Sequence, residues 1–156
     1  MTGIVEQRLR DLAITLPSAP APVANYVPVR IVGELLFVSG QVSRNPDGTL
    51  IAGKLGAGLD VAQGKNAARM CGLALLAQAK AALGDLDRIV ACVKLLGFVN
   101  GTADFLQQPA VVNGCSDLLV DVLGDAGRHA RSAVGVNALP MDAAVEVEAI
   151  FQIARP

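Results

Sequence analysis

The sequence predicts an α+β fold, a two-layer sandwich in which two helices cover one face of a mixed sheet. Three observations carry this. Segments with helical and strand periodicity alternate in the order helix, β, β, long helix, β, helix, β, β. Hydrophobic residues make up 53% of the 156 residues, yet only 3% are aromatic and none is Trp, so the core is built of Ala, Val, Leu and Ile. The length suits one domain with a real core.

Each element has a local reason. Residues 4 to 14 place Ile4, Val5, Leu9, Leu12 and Ala13 at helical spacing, with Glu6, Arg8 and Arg10 between them. The segment 16 to 26, LPSAPAPVANY, holds three prolines and reads as an extended connector. Residues 1–20 are therefore expected to form an N-terminal helix and connector, and 21–156 the main domain. VPVRIV (27–32) and LLFVS (35–39) read as a hairpin joined at Gly33-Glu34. Ser39-Gly40-Gln41 is expected to end the second strand in a tight turn. NPDGT is a turn, and IAGKLGAGLD a glycine-rich loop expected to be mobile. That loop fits neither phosphate-binding glycine pattern.

Asp60-x-x-Gln63 is a capping-box start for a helix over 61 to 83, and Gly84 stops it. RIVACVKLLGFV (88–99) is rich in β-branched residues and reads as a buried strand. Pro109 suits the first turn of a second helix ending near 123, before Gly124. The stretch 131 to 149, RSAVGVNALPMDAAVEVEA, reads as two short strands around Leu139-Pro140-Met141-Asp142. The sheet face away from the helices needs cover, and oligomerisation is the expected way to provide it.

Charge and composition exclude several functions. Thirteen basic and 14 acidic residues leave a net charge of −1, and the pI is about 5.7 with a mean hydropathy of +0.48. There is no basic stripe for nucleic acid or anionic lipid. No apolar run reaches the ~18 to 20 residues of a membrane helix. The N-terminus carries Glu6 and Asp11 and has no apolar core of a signal peptide, so the cytoplasm is expected. Cys71, Cys92 and Cys115 are widely spaced and His129 is the only histidine, so no metal site is expected. The cysteines are expected to act as small hydrophobes.

The polar residues inside the apolar segments are the candidates for function. Arg131 opens a strand of small residues that cannot shield its guanidinium, and Arg grips carboxylates bidentately. Glu146 is read as its carboxylate partner on the adjacent strand. Glu146 and Glu148 alternate with Val145, Val147 and Ala149 and so share one strand face; if that face is covered, the pKa of a glutamate there rises. Tyr26, the only tyrosine, has the character of a pocket-rim residue. Asn113 is a poor helix former inside a helix, which points to a specific hydrogen bond.

Together these residues resemble the RidA/YjgF family from about Ala21 to Ile153. The resemblance lies in Tyr26 thirteen residues before Ser39-Gly40-Gln41, in GDLDRIVACVKLLGFV, in VVNG with Asn113, and in ARS…LP…VEVEA, where Arg131 and Glu146 stand fifteen residues apart. It implies a chorismate-mutase-like fold and a homotrimer with pockets between subunits. It also implies hydrolysis of reactive 2-imino or enamine acids to 2-ketoacids and ammonia, with no cofactor and no metal. Carried over, Arg131 clamps the substrate carboxylate and Glu146 bonds the attacking water or the imine nitrogen. The Ala133 carbonyl helps place the water, Tyr26 and Asn113 line the pocket, and Ser39 and Gly40 offer it a strand turn. Ala133 and Gly135 depart from the archetype's Cys and acidic residue, and the N-terminal helix and the longer 45-to-60 loop place the chain in a longer branch. The alternative function is a non-catalytic trimer that binds small carboxylate metabolites. A ribonuclease or translation inhibitor, a label attached to the family, is disfavoured by the acidic pI and scarce aromatics.

Overall fold

In the computed structural model, which describes residues 3–19, 21 and 24–156, the helices and strands follow the expected order with two additions. Helix α1 (Ile4–Asp11) comes first, then the hairpin β1 (Val29–Val32) and β2 (Leu35–Val42). The glycine-rich loop forms two minimal strands, β3 (Lys54–Leu55) and β4 (Gly58–Leu59). Helix α2 (Val61–Leu83), the central strand β5 (Ile89–Asn100), helix α3 (Gln108–Leu123), and strands β6 (Ala130–Val136) and β7 (Val145–Ile153) complete the chain. Residues Pro20 and Pro22 of the proline-rich connector lie outside the described residues.

Local chemistry sets the boundaries. Asp60 accepts from the Gln63 amide at 2.8 Å while the Gln63 side chain accepts from the Asp60 amide at 2.9 Å, a complete capping box. Gly84 closes α2 with φ +76°. Val32 and Leu35 pair across Gly33-Glu34, and Gly33 supplies the positive φ the turn demands. Helix α3 carries Pro109 in its first turn, where no intrahelical donor is lost.

The five-stranded sheet has the order β1-β2-β7-β5-β6, with β6 parallel to β5 and every other pair antiparallel. This corrects the reading of 131–149. The two strands around the 139–142 turn are not neighbours, because β5 lies between them. The alternation along β7 buries Val145, Val147, Ala149, Phe151 and Ile153 against the helices. Glu146, Glu148 and Ile150 take the other, open face. Leu36, Leu75, Leu95, Leu118 and Phe151 are fully buried at the centre. Each contributes on the order of 1.5–3 kcal/mol by leaving water.

Helix α1 belongs to this core too: Val5 and Leu9 are buried in it, and the Ile4 and Val5 amides donate to Asp87 at 2.7 and 2.8 Å. The helices approach closely at Gly114, where a Cβ would collide with the Lys65 carbonyl of α2. The absence of that atom lets α2 and α3 pack backbone to backbone.

The glycine-rich loop is tied down rather than mobile. Lys54 Nζ donates to Asn100 Oδ1 at 2.7 Å and to the Asn137 carbonyl. Buried Asn100 donates onward to Asp142 Oδ1 at 2.9 Å and to the Ala143 carbonyl at 3.0 Å. This network anchors the 140–142 turn, in which Met141 and Asp142 both hold positive φ near +58° and +59°. Two consecutive non-glycine residues in that region cost roughly 1–2 kcal/mol each, so the turn needs such an anchor.

Candidate active site

The expected site residues fall into two groups. The first lies on the helix side of the sheet edge. In the β5–β6 register Arg131 is level with Leu95 and Ala133 with Gly97, both on the helix-facing side. The guanidinium accordingly reaches α3: Nη1 donates to Ser116 Oγ at 3.1 Å and Nη2 to the Pro109 carbonyl at 3.3 Å. Pro109, Asn113 and Ser116 fall on one stripe of the helix. Asn113 therefore stands between the two groups that hold the guanidinium. Two of its five N–H donors are committed to the helix, which leaves donors for a carboxylate.

Beyond Ala133 on the same side is Gly135, where a Cβ would come within 2.9 Å of Gln108 Nε2. The β5–β6 register runs unbroken past it, so this glycine serves close approach and makes no bulge. A cavity of about 350 Å³ opens here, lined by Thr102, Phe105, Leu106, Gln108, Gly135 and Asn137.

The second group lies on the open face at the β2–β7 pairing. Val38 pairs with Ala149 and Gln41 with Val147, so β2 carries one extra residue between them. Ser39-Gly40 is thus a β-bulge within a continuing strand, not the strand-ending turn expected. The Glu146 carboxylate occupies the space above Gly40 that a Cβ would fill. Ser39 Oγ donates to the Val27 carbonyl at 2.9 Å and the Ser39 amide to the Pro28 carbonyl at 2.9 Å. These bonds fasten the segment just after Tyr26 to the bulge. Ser39, Gly40 and Glu146 meet at this bulge, and Tyr26, the residue before Val27, is half-exposed.

Burial raises the Glu146 pKa above the ordinary 4.5, and the neighbouring Glu148 charge raises it further. Among the described residues no ion pair reaches Glu146. The expectation that Glu146 stands on the strand adjacent to Arg131 is wrong. One strand, β5, lies between theirs, and they project from opposite faces of the sheet. Strand order is set by long-range packing, which spacing along the chain does not encode.

The structure adds two residues to the Arg131 group, Ser116 and His129. Ser116 Oγ and His129 Nε2 are 2.9 Å apart. Ser116 had a signal, since it lies three residues after Asn113 on the same helix face, and His129 shares the strand parity of Arg131. Burial pushes the Cys115 thiol well up and Cys92 up to about 12, so these cysteines are not nucleophiles at neutral pH. Among the described residues no His, Cys, Asp and Glu cluster could hold a metal ion, and no helix is long and apolar enough to cross a membrane.

A mixed five-stranded sheet with helices on one face defines a small two-layer α+β domain. The family model described as "YjgF/chorismate_mutase-like, putative endoribonuclease" matches residues 6–152, and the chain belongs to that family. Protein TCP17 of Trypanosoma cruzi is 49% identical over 153 residues, covering 97% of this chain and 96% of its own. A crystal structure of Atu1372 from Agrobacterium tumefaciens, described as of unknown function, is 47% identical with a TM-score of 0.90, covering 97% of this chain and 93% of that one. A "putative endoribonuclease" from Shewanella oneidensis is 34% identical with a TM-score of 0.93, covering 97% and 100%. The structure of E. coli TdcF with bound serine is 27% identical with a TM-score of 0.62, covering 87% and 94%.

Proposed function

We propose that this protein hydrolyses reactive 2-imino acids, or their enamine tautomers, to 2-ketoacids and ammonia. The work is done in clefts between the subunits of a homotrimer. The observation that carries the reading is the Arg131 guanidinium, laid on α3 beside Asn113 with donors still free. Such a fork is matched to a small carboxylate. The solved relative with bound serine contains a ligand of that class, an amino acid carboxylate.

The open face supports the assembly. It carries Phe37, Val32, Leu35 and Val134, all at least 36% exposed. Among the described residues no helix covers it. A neighbouring copy seated there brings its Arg131 edge to the Glu146 bulge, which one chain alone cannot do.

In this cleft Arg131 holds the substrate carboxylate and Asn113 and Tyr26 line its sides. Water adds to the imine carbon, forming a C–O bond while the C=N π pair moves to nitrogen. Glu146 accepts a proton from the water and delivers it to that nitrogen. The hydroxyl of the resulting carbinolamine then gives its proton, through Glu146, to the nitrogen. Its electron pair forms the C=O bond as the C–N bond breaks, and ammonia leaves with that C–N pair. A raised carboxyl pKa suits a group that must both accept and return a proton near neutral pH. The Ala133 carbonyl, on the edge strand, helps place the water. No cofactor is required, because an imine is already electrophilic and positioning accounts for the rate. The cavity beyond Ala133 offers room for a substrate side chain.

The test generates 2-aminoacrylate and a longer 2-imino acid in situ with a dehydratase or an amino-acid oxidase and follows 2-ketoacid formation. Acceleration by the protein, lost in Arg131→Ala, is the expected result. No acceleration with either imine would overturn the deaminase reading in favour of a carboxylate-binding trimer.

A further inference from the structure

The reaction scheme above leaves two polar side chains beside Arg131 without a task. Arg131 Nη1 donates to Ser116 Oγ at 3.1 Å, Ser116 Oγ is 2.9 Å from His129 Nε2, and His129 Nδ1 is 2.7 Å from the Gly127 carbonyl. A carbonyl only accepts, so Nδ1 carries a proton. In neutral imidazole Nε2 is then a lone pair, and the Ser116 hydroxyl donates to it. The Ser116 oxygen is left to accept from Arg131. Each donor has one acceptor, and the chain has one direction.

Protonation of His129 breaks that order. Nε2 becomes a donor, and the single Ser116 oxygen faces two donors, His129 and Arg131, each carrying a positive charge. Burial lowers the His129 pKa below the ordinary 6.5, the Gly127 carbonyl opposes this, and the Arg131 charge adds to the lowering. The imidazole is therefore neutral at pH 7.

The other charged groups of the surrounding elements do not replace Arg131 in this role. Asp117 and Asp121 of α3 are exposed. Asp125 and Arg128, on the turn between α3 and β6, pair with each other. Lys94 of β5 is level with Ala130, on the open face of the sheet. Ser116 is not set up as a nucleophile either. It stands mid-helix, where the amides are bonded to carbonyls one turn back and none is free for an oxyanion.

We infer that Ser116 and neutral His129 are positioning residues for Arg131, pinning its guanidinium against α3 with the free edge presented to a 2-oxo or 2-imino acid, and that this grip loosens when His129 takes up a proton. The inference rests on Arg131 being the carboxylate anchor of the proposed function.

The test is calorimetric binding of 2-oxobutanoate, whose own charge is constant between pH 5 and 8, by the full-length protein. In the wild type the dissociation constant should rise a few-fold between pH 8 and pH 5.5, less than the roughly tenfold that an unshifted histidine could give at most. His129→Gln places an uncharged acceptor toward Ser116. It should bind a few-fold more weakly at pH 8 with little further change on acidification. Ser116→Ala should lose affinity at every pH.

Because His129 is the only histidine, its ring nitrogens give a unique NMR signal. The Nδ1–H tautomer is expected at pH 7, with a pKa that rises in Arg131→Ala. Affinity independent of pH in the wild type, an acid loss that persists in His129→Gln, or an Nε2–H tautomer would overturn the inference while leaving the deaminase reading intact. No binding of 2-oxobutanoate at any pH would overturn the anchor role of Arg131, and the inference with it.

Discussion

At the β6 edge the polar groups are held in place within one chain, with donors of Arg131 left over. Arg131 is bonded to two groups of α3, Ser116 to His129, and His129 to the Gly127 carbonyl. At the β2 bulge the opposite holds. Glu146 sits half-buried over a glycine, beside a second glutamate, and among the described residues no ion pair reaches it. Desolvating a carboxyl without a cation is unfavourable, and a fold keeps such an arrangement where function draws on it. On the proposed function, the cationic half is preformed and the carboxyl half takes its partners from another subunit.

Breaking the preformed half should have the largest effect. Arg131→Ala is expected to lower turnover of a 2-imino acid about 100-fold or more, with the thermal transition within a few degrees of wild type. Steady-state kinetics beside calorimetric melting measures both.

Gly40→Ala probes the other half. Its Cβ takes the space of the Glu146 carboxylate, so the carboxyl must move, and roughly a tenfold loss of kcat is expected at a stability cost of about 1 kcal/mol. Gly114→Ala gives the contrast. It forces α2 and α3 apart and should cost about 1–3 kcal/mol in chemical denaturation, as overpacking does.

Smaller again is the effect on stability of removing the carboxyl charge. Glu146 has a raised pKa in the folded state, so the folded protein binds more protons than the unfolded chain above the ordinary 4.5. Stability is therefore lost as pH rises from that value through the folded pKa. Glu146→Gln should melt higher than wild type at pH 7, and the difference should close below about pH 4.5. Glu148→Gln, at a strand position exposed to solvent, should stay within about 0.5 kcal/mol of wild type.

Much of this molecule was legible in the chain. The bounds of α2 follow from Asp60, Gln63 and Gly84, and the hairpin from Gly33-Glu34, because capping and turn chemistry are local. The alternation of Val145 to Ile153 told which side of β7 is buried. It does not tell which strand lies beside it, and β5 separates Glu146 from the strand of Arg131. Ser39-Gly40-Gln41 looked like a turn because a glycine after a strand signals one. Only the unequal pairing with β7 makes it a bulge. The Ser116–His129 contact joins a helix to the residue before a strand; the spacing from Asn113 marks the helix face of Ser116 but gives no warning of that partner.

The central claim is that one site draws Arg131 and Glu146 from two different subunits. Subunit mixing tests it most directly. Arg131→Ala and Glu146→Gln proteins, each inactive alone, are unfolded together, refolded in equal amounts and assayed on a 2-imino acid. A site shared between neighbours regains both residues by chance, and about a quarter of wild-type activity should return. If the mixed oligomers form and stay inactive, Arg131 and Glu146 do not act across a subunit boundary, and the account is contradicted.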